Sequence, residues 1–569
     1  MPNLVVSTLV LGVVGLLLAL FVAVGIKRLP PGTVAMQEHL SHIKNITEAF
    51  TNKHYIIAAG LALVAFFVII CIFDLPAAIS FICGVLVSIL LLNRVMDIIT
   101  EAGIRAAAAG NSTNPALAAM LCGSFVSAIL VMALALLGCG LLFLITGHVG
   151  TINFFLLGIS MVALLYSTGS NIFRSTSTGT ENSYLLSSGS IAMDLFESCT
   201  VALAGVMTIG ILVMTRFGWA GVLLPLVIFS AGLIACILVL ILIIVYRQQD
   251  LGKIMGKAIS FYTLFLIVFS LIAVMYLLPG EQFKVILALG AGLALALLLF
   301  LPLSWDIPSI FKQNGNLHRN RDFVAIYIPV LFLALLLSYY GVGFYGVSII
   351  GLAVLLFTGM AVFIQSFAQI KLLAAGLAVG NDSSGGGDEC YEEIINYFSI
   401  TALVFAAVIL FLVFTQVAQI QKIGLNNGLV LAGLVIGSVL PYLFTSWINN
   451  GSRVEQGDNG NGDYGDNDDN NDNAKLEGEA LQQESGGIKN QEYYVCRESL
   501  LVLLAAVAIP LLTGFLLGKQ VLAALLIGSS GAGILLVVVR AENYEPDLSI
   551  LIKFLLIVSL AIAAPLLAV

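Results

Sequence analysis

Long apolar runs alternate with short polar connections along this chain, and the runs have the length that crosses a bilayer, about 18 residues or more. Sixteen can be drawn: 4–26, 55–73, 76–92, 117–146, 152–167, 188–214, 220–246, 258–278, 285–303, 323–340, 342–367, 394–417, 429–447, 500–517, 521–539 and 548–567. Inside a bilayer the backbone must satisfy its own hydrogen bonds, so runs of this kind are predicted as helices, and the fold as an all-α polytopic membrane bundle forming one transmembrane domain over 1–569. The fourth and seventh runs are long enough to tilt or to project beyond the hydrocarbon. The first is too long, and too sparsely preceded by charge, for a cleaved signal peptide.

The polar connections orient the bundle. If the amino terminus lies outside, all but four of the 24 Lys and Arg fall on the cytoplasmic side, the exceptions being Arg216, Lys284, Lys422 and Lys519. One missed or invented span would swap the sides of everything downstream, so this bias supports both the count and two extracytoplasmic termini. The connection over 449–492 differs from the rest. Its middle, from Asp458 to Asp472, is built of Asp, Asn and Gly, which cannot bury enough apolar area to offset chain entropy, so a disordered acidic cytoplasmic loop is expected. A calcium loop is the alternative there, but no frame of alternating ligands with a Glu at the twelfth place fits.

Composition agrees with a membrane class: 60% hydrophobic residues, 10% charged, and a mean hydropathy of +1.06. The eight cysteines stand mostly within apolar runs without a CxxC pair, and read as small buried hydrophobes rather than disulfide or zinc ligands. No P-loop, His-Glu-x-x-His or dinucleotide fingerprint is found, and no feature suggests nucleic acid as a partner; the partner is the lipid bilayer. Asn45, Asn111, Asn381 and Asn450 each begin an Asn-x-Ser/Thr triplet, but on the side where glycosylation does not occur.

One stretch carries charge where it is costly. Asp194 and Glu197 share a helix face in the sixth run, and Lys553, one turn into the last run, is the cation placed to answer them. The alternative is that both carboxylates lie at the membrane surface and meet water.

Four stretches together resemble one family. They are Asp194-Leu-Phe-Glu-Ser198, Ser338-Tyr-Tyr-Gly-Val-Gly-Phe-Tyr-Gly346, Gly437-Ser-Val-Leu-Pro-Tyr-Leu-Phe444 and Pro546-Asp-Leu-Ser-Ile-Leu-Ile-Lys553. In this order, and on these runs, they are similar to motifs of the membrane-bound, ion-pumping pyrophosphatases. The resemblance implies sixteen helices, six of them an inner ring (five, six, eleven, twelve, fifteen and sixteen) surrounded by an outer ring, usually as a homodimer. It also implies a cytoplasmic funnel for magnesium pyrophosphate above an ion gate. Asp194, Glu197 and Lys553 match that gate position by position, whereas Ser167 stands where the family has an arginine on its fifth helix.

The funnel end departs from the family. Its repeated Asp positions before the gate fall here on Gly179, Ser183 and Ser187, and two further carboxylates, at the end of the eleventh run, on Gln365 and Leu372. No catalytic residue, resident metal or cofactor is therefore expected. The acidic residues nearby, such as Glu181, Asp388, Glu392 and Glu542, lie on short connections rather than rigid elements. The expected function is a degenerate, non-catalytic member, as a homodimer or as a companion subunit paired with an active paralogue. The alternatives are a passive or differently driven H+ or Na+ pathway through the retained gate, and a pump that persists with substitute ligands. The membrane is expected to be a plasma or organelle membrane.

Overall fold

The computed structural model describes residues 2–34, most of 55–70, 73–109, 113–176, 218–245, 251–277, 427–440 and 516–540, with a few isolated positions besides. All regular structure among them is helical: α1 (Pro2–Lys27), α2 (Ala58–Phe67), α3 (Leu75–Ala108), α4 (Thr113–Thr146), α5 (Val149–Thr176), α6 (Gly218–Val245), α7 (Leu251–Leu277), α8 (Gly428–Leu440) and α9 (Lys519–Arg540). Five of these helices are long and apolar enough to cross a membrane. The protein is thus a polytopic helix bundle. Of the inner ring expected from sequence, the fifth and fifteenth runs are α5 and α9; the sixth, eleventh, twelfth and sixteenth runs, and the acidic loop at 449–492, lie outside the described residues.

The helices begin and end where local chemistry dictates. Asp74 caps α3 in an extended conformation, φ −148° and ψ 167°, with its carboxylate accepting the Ala77 amide at 2.8 Å and Pro76 in the first turn, where its missing N–H costs nothing. α4 closes on Gly147, whose φ of +65° is the left-handed conformation that a helix terminus favours, and whose amide returns to the Phe143 carbonyl at 2.9 Å.

Long-range contacts show how the passages alternate. Tyr55 packs edge-on to Tyr166 with ring centroids 5.6 Å apart, and its hydroxyl meets Asn93, which joins the start of the second passage to the far parts of α3 and α5. At the opposite end Phe73 packs on Phe154 at 5.1 Å, near the starts of α3 and α5. α3 and α5 therefore run parallel. α4 packs between α1, α3 and α6, and α6 pairs with α7. Among the cysteines of this core, Cys139 and Cys236 are buried as small hydrophobes, with the Cys236 Sγ 3.9 Å from the Met132 Sδ.

Two pairs of parallel helices approach until their backbones touch. A Cβ placed on Gly84 would fall inside the Phe155 carbonyl oxygen, and one on Gly158 inside the Phe81 carbonyl. In each case the oxygen belongs to the residue three before the partner's glycine, so the contact is reciprocal. The Ser88 hydroxyl then donates across the seam to the Ile159 carbonyl at 3.1 Å. α8 and α9 repeat the arrangement: Gly437 faces the Leu525 carbonyl, Gly528 the Leu434 carbonyl, and the Ser529 hydroxyl donates to the Gly437 carbonyl at 2.9 Å. Where lipid is as apolar as the side chains, close backbone approach and hydroxyl bonds of this kind are what hold helices together.

Three helices outrun the sequence expectation: α5 continues to Thr176 where its run was drawn to 167, α7 begins at Leu251 where its run was drawn from 258, and α3 departs furthest. The third run was expected to end at residue 92, yet α3 continues as one helix to Ala108, roughly 24 Å further at the usual rise per residue. The extension keeps a buried face, including Ile98, Ile99, Ala102 and Ile104, so tertiary packing sustains the helix after the apolar run has ended.

Candidate functional site

The residues picked out from sequence divide sharply. Asp194, Glu197 and Lys553, and the funnel positions Ser183, Ser187, Gln365 and Leu372, all lie outside the described residues. The fifth-helix position does not: Ser167 stands on α5, which runs without a break from Val149 past Gly169 and Ile172 to Thr176. Gly437, which opens the motif on the thirteenth run, sits in the backbone-to-backbone seam between α8 and α9. The glycine of that motif thus has a packing role.

The charged cluster that the described residues do bring together was not singled out from sequence. Glu101 and Arg105 stand one turn apart on the extension of α3, with side chains 14% and 10% exposed, and form an ion pair. Lys44, from the connection after α1, reaches the other Glu101 oxygen at 2.9 Å. Arg105 also donates from Nε to the Ile26 carbonyl at 3.0 Å and from a terminal nitrogen to the Lys27 carbonyl at 3.2 Å. These are carbonyls in the last turn of α1, beyond the reach of the helix's own amide ladder, and the Ile26 carbonyl accepts from the Leu29 amide as well, at 3.0 Å.

This arrangement is a clasp. One guanidinium joins the end of α1 to the extension of α3, and Glu101 draws the intervening connection onto the same point. With Arg105 committed to the Glu101 carboxylate and to two α1 carbonyls, the cluster is built to hold helix ends together rather than to turn over a substrate. The signal that could have exposed it is Glu101 and Arg105 at four-residue spacing, amid isoleucines and alanines and without a proline.

Comparison with known proteins gives a consistent answer. The profile of the family described as "Inorganic H+ pyrophosphatase" matches residues 13–177 and 321–543, more than half of the chain. Among similar proteins, the K(+)-insensitive pyrophosphate-energized proton pump of Methanosarcina mazei is 24% identical, the match covering 94% of this chain and 89% of that protein. A relative from Clostridium tetani, provisionally named a K(+)-stimulated pyrophosphate-energized sodium pump, is 22% identical over 92% of this chain and 86% of its own. A further proton pump of this kind from Moorella thermoacetica is 28% identical over 50% of this chain and 46% of its own. Neither range matched by the family profile includes Asp194, Glu197 or Lys553, nor the funnel positions Ser183 and Ser187; Gln365 and Leu372 fall within the second.

Proposed function

This integral membrane chain belongs to the inorganic H+ pyrophosphatase family, and from that premise we propose that it has lost pyrophosphate hydrolysis and acts as a non-catalytic member, either as a homodimer or as a companion subunit beside an active paralogue. The observation that carries the reading is the donor set at the funnel positions. Pyrophosphate is a polyanion held through magnesium, a hard cation that takes carboxylate and phosphate oxygens in a strict octahedron. Ser183, Ser187, Gln365 and Leu372 offer two hydroxyls, an amide and an alkyl group, and Gly179 offers no side chain at all. This set does not fit magnesium. Losing several such ligands together, each worth orders of magnitude in rate, leaves little of the catalysis.

The test is direct. The full chain in liposomes, supplied with magnesium and pyrophosphate, is expected to release phosphate no faster than empty vesicles, while the Methanosarcina mazei pump prepared in the same way turns over. Sustained phosphate release would overturn the proposal and restore the reading as an active H+ or Na+ pump.

A second reading is favoured by the matched gate. Asp194, Glu197 and Lys553 keep their places while the funnel has changed, which suits a passive or differently driven H+ or Na+ pathway. Removing the lysine from such a pathway would leave the two carboxylates without the cation that neutralises them. Lys553→Ala is therefore expected to raise the H+ or Na+ leak of the liposomes severalfold. An unchanged leak in both assays would leave the companion role as the surviving reading.

A further inference from the structure

We propose that the end of α1 carries a binding site for an anionic phospholipid, with the acyl chains along one face of the helix and the phosphate on Lys27 and Arg28. The site is separate from the gate and the funnel, and the proposal holds whether or not hydrolysis has been lost.

The first observation is a continuous exposed column. Val6, Val10, Val13, Leu17, Leu20 and Val24 follow one another at steps of four and three, which places them on one face of α1, and all are exposed in the folded chain. The opposite face, with Val5, Ala19, Val22 and Ile26, is buried, where α1 packs chiefly on α4. The column is roughly 27 Å long at the helical rise, close to the hydrocarbon thickness of a bilayer.

The second observation is what stands at its end. Three and four residues beyond Val24 the same face reaches Lys27 and Arg28, both exposed. Among the described residues neither forms an ion pair, while the neighbouring carboxylate, Glu101, is already taken by Lys44 and Arg105. Two cations therefore remain in excess where the apolar column meets water, and they complement a phosphate diester.

The third observation removes the usual objection. A helix carboxyl end bears partial negative charge and repels anions. Here Arg105 donates to the carbonyls of Ile26 and Lys27, while the amides of Arg28 and Leu29 turn back to the carbonyls of Gly25 and Ile26 at 3.2 and 3.0 Å. The carbonyls of Gly25, Ile26 and Lys27 are thus occupied, which leaves the cations as the stronger charge at the end of α1.

The experiment uses the purified full chain in a neutral detergent, titrated separately with phosphatidylglycerol and phosphatidylcholine and read by native mass spectrometry. Phosphatidylglycerol is expected to be retained several-fold over phosphatidylcholine. The double substitution Lys27→Gln with Arg28→Gln is expected to weaken that retention roughly thirtyfold, and Arg28→Gln alone roughly fivefold. Arg94→Gln, at an exposed position paired only weakly with Asp97 at 3.9 Å, is expected to leave it unchanged. Millimolar inorganic phosphate is expected not to displace the lipid. Equal retention of the two lipids, retention untouched by the double substitution, or displacement by free phosphate would each overturn the proposal. So would a change in the monomer–dimer ratio of the double variant with lipid retention intact, since that would make the face an interface between two copies.

Discussion

Replacing Gly84 by alanine is expected to cost the folded bundle about 1–3 kcal/mol, and replacing it by leucine more than that, enough to leave little monodisperse protein in detergent. The reason is geometric. At Gly84 there is no room for even one carbon, because the Phe155 carbonyl of the neighbouring helix occupies the place a Cβ would take. A backbone oxygen cannot rotate away as a side chain can, so α3 and α5 must separate. Separation also breaks the reciprocal contact at Gly158 and stretches the Ser88 bond to Ile159, now 3.1 Å. Gly25 is the control, since a Cβ there meets nothing within 4 Å, and Gly25→Ala is expected to be neutral or slightly stabilising by helix propensity. Thermal unfolding followed by size exclusion compares the two. If Gly84→Ala unfolds no earlier than Gly25→Ala, α3 and α5 do not pack through this seam.

Those two glycines also show where sequence reading stops. The spans were legible because bilayer physics imposes composition and helix together: the run drawn at 4–26 is α1 at Pro2–Lys27, and the run drawn at 220–246 is α6 at Gly218–Val245. The glycines were not, because the chain has 55 of them and nothing in their spacing says which one faces another helix's carbonyl. The extension of α3 was missed for another reason. Arg94, Asp97, Glu101 and Arg105 raise its polarity to that of a connection, and the buried isoleucines and alanines between them are too few to register as a span. Of the candidate site, Asp194, Glu197 and Lys553 stood out as charges within apolar runs, and motif register alone made them candidates for a gate, since hydropathy cannot tell a gate carboxylate from one that meets water.

Arg105→Ala is the second large effect. It is expected to lower stability by about 2–4 kcal/mol, because it removes the donor shared by three acceptors, the Glu101 carboxylate and the carbonyls of Ile26 and Lys27, and leaves Lys44 and the Leu29 amide to serve the first two alone. Arg105→Lys should recover only a minor part, as one ammonium cannot span the same acceptors in the way a planar guanidinium does. Lys44→Ala should cost less than about 1 kcal/mol, since its side chain is 37% exposed and its pairing is correspondingly screened. The discriminating variant is Glu101→Gln combined with Arg105→Ala. With the carboxylate neutralised, loss of the guanidinium no longer leaves a half-buried charge short of a partner, so the double variant should be more stable than the sum of the two single losses predicts. A coupling of about 1 kcal/mol or more, measured by thermal unfolding at low salt and only partly reduced at high salt, is the expected result. Strict additivity would mean that Glu101 and Arg105 act separately. The clasp would then reduce to Arg105 capping the end of α1, with Glu101 a bystander on the neighbouring turn.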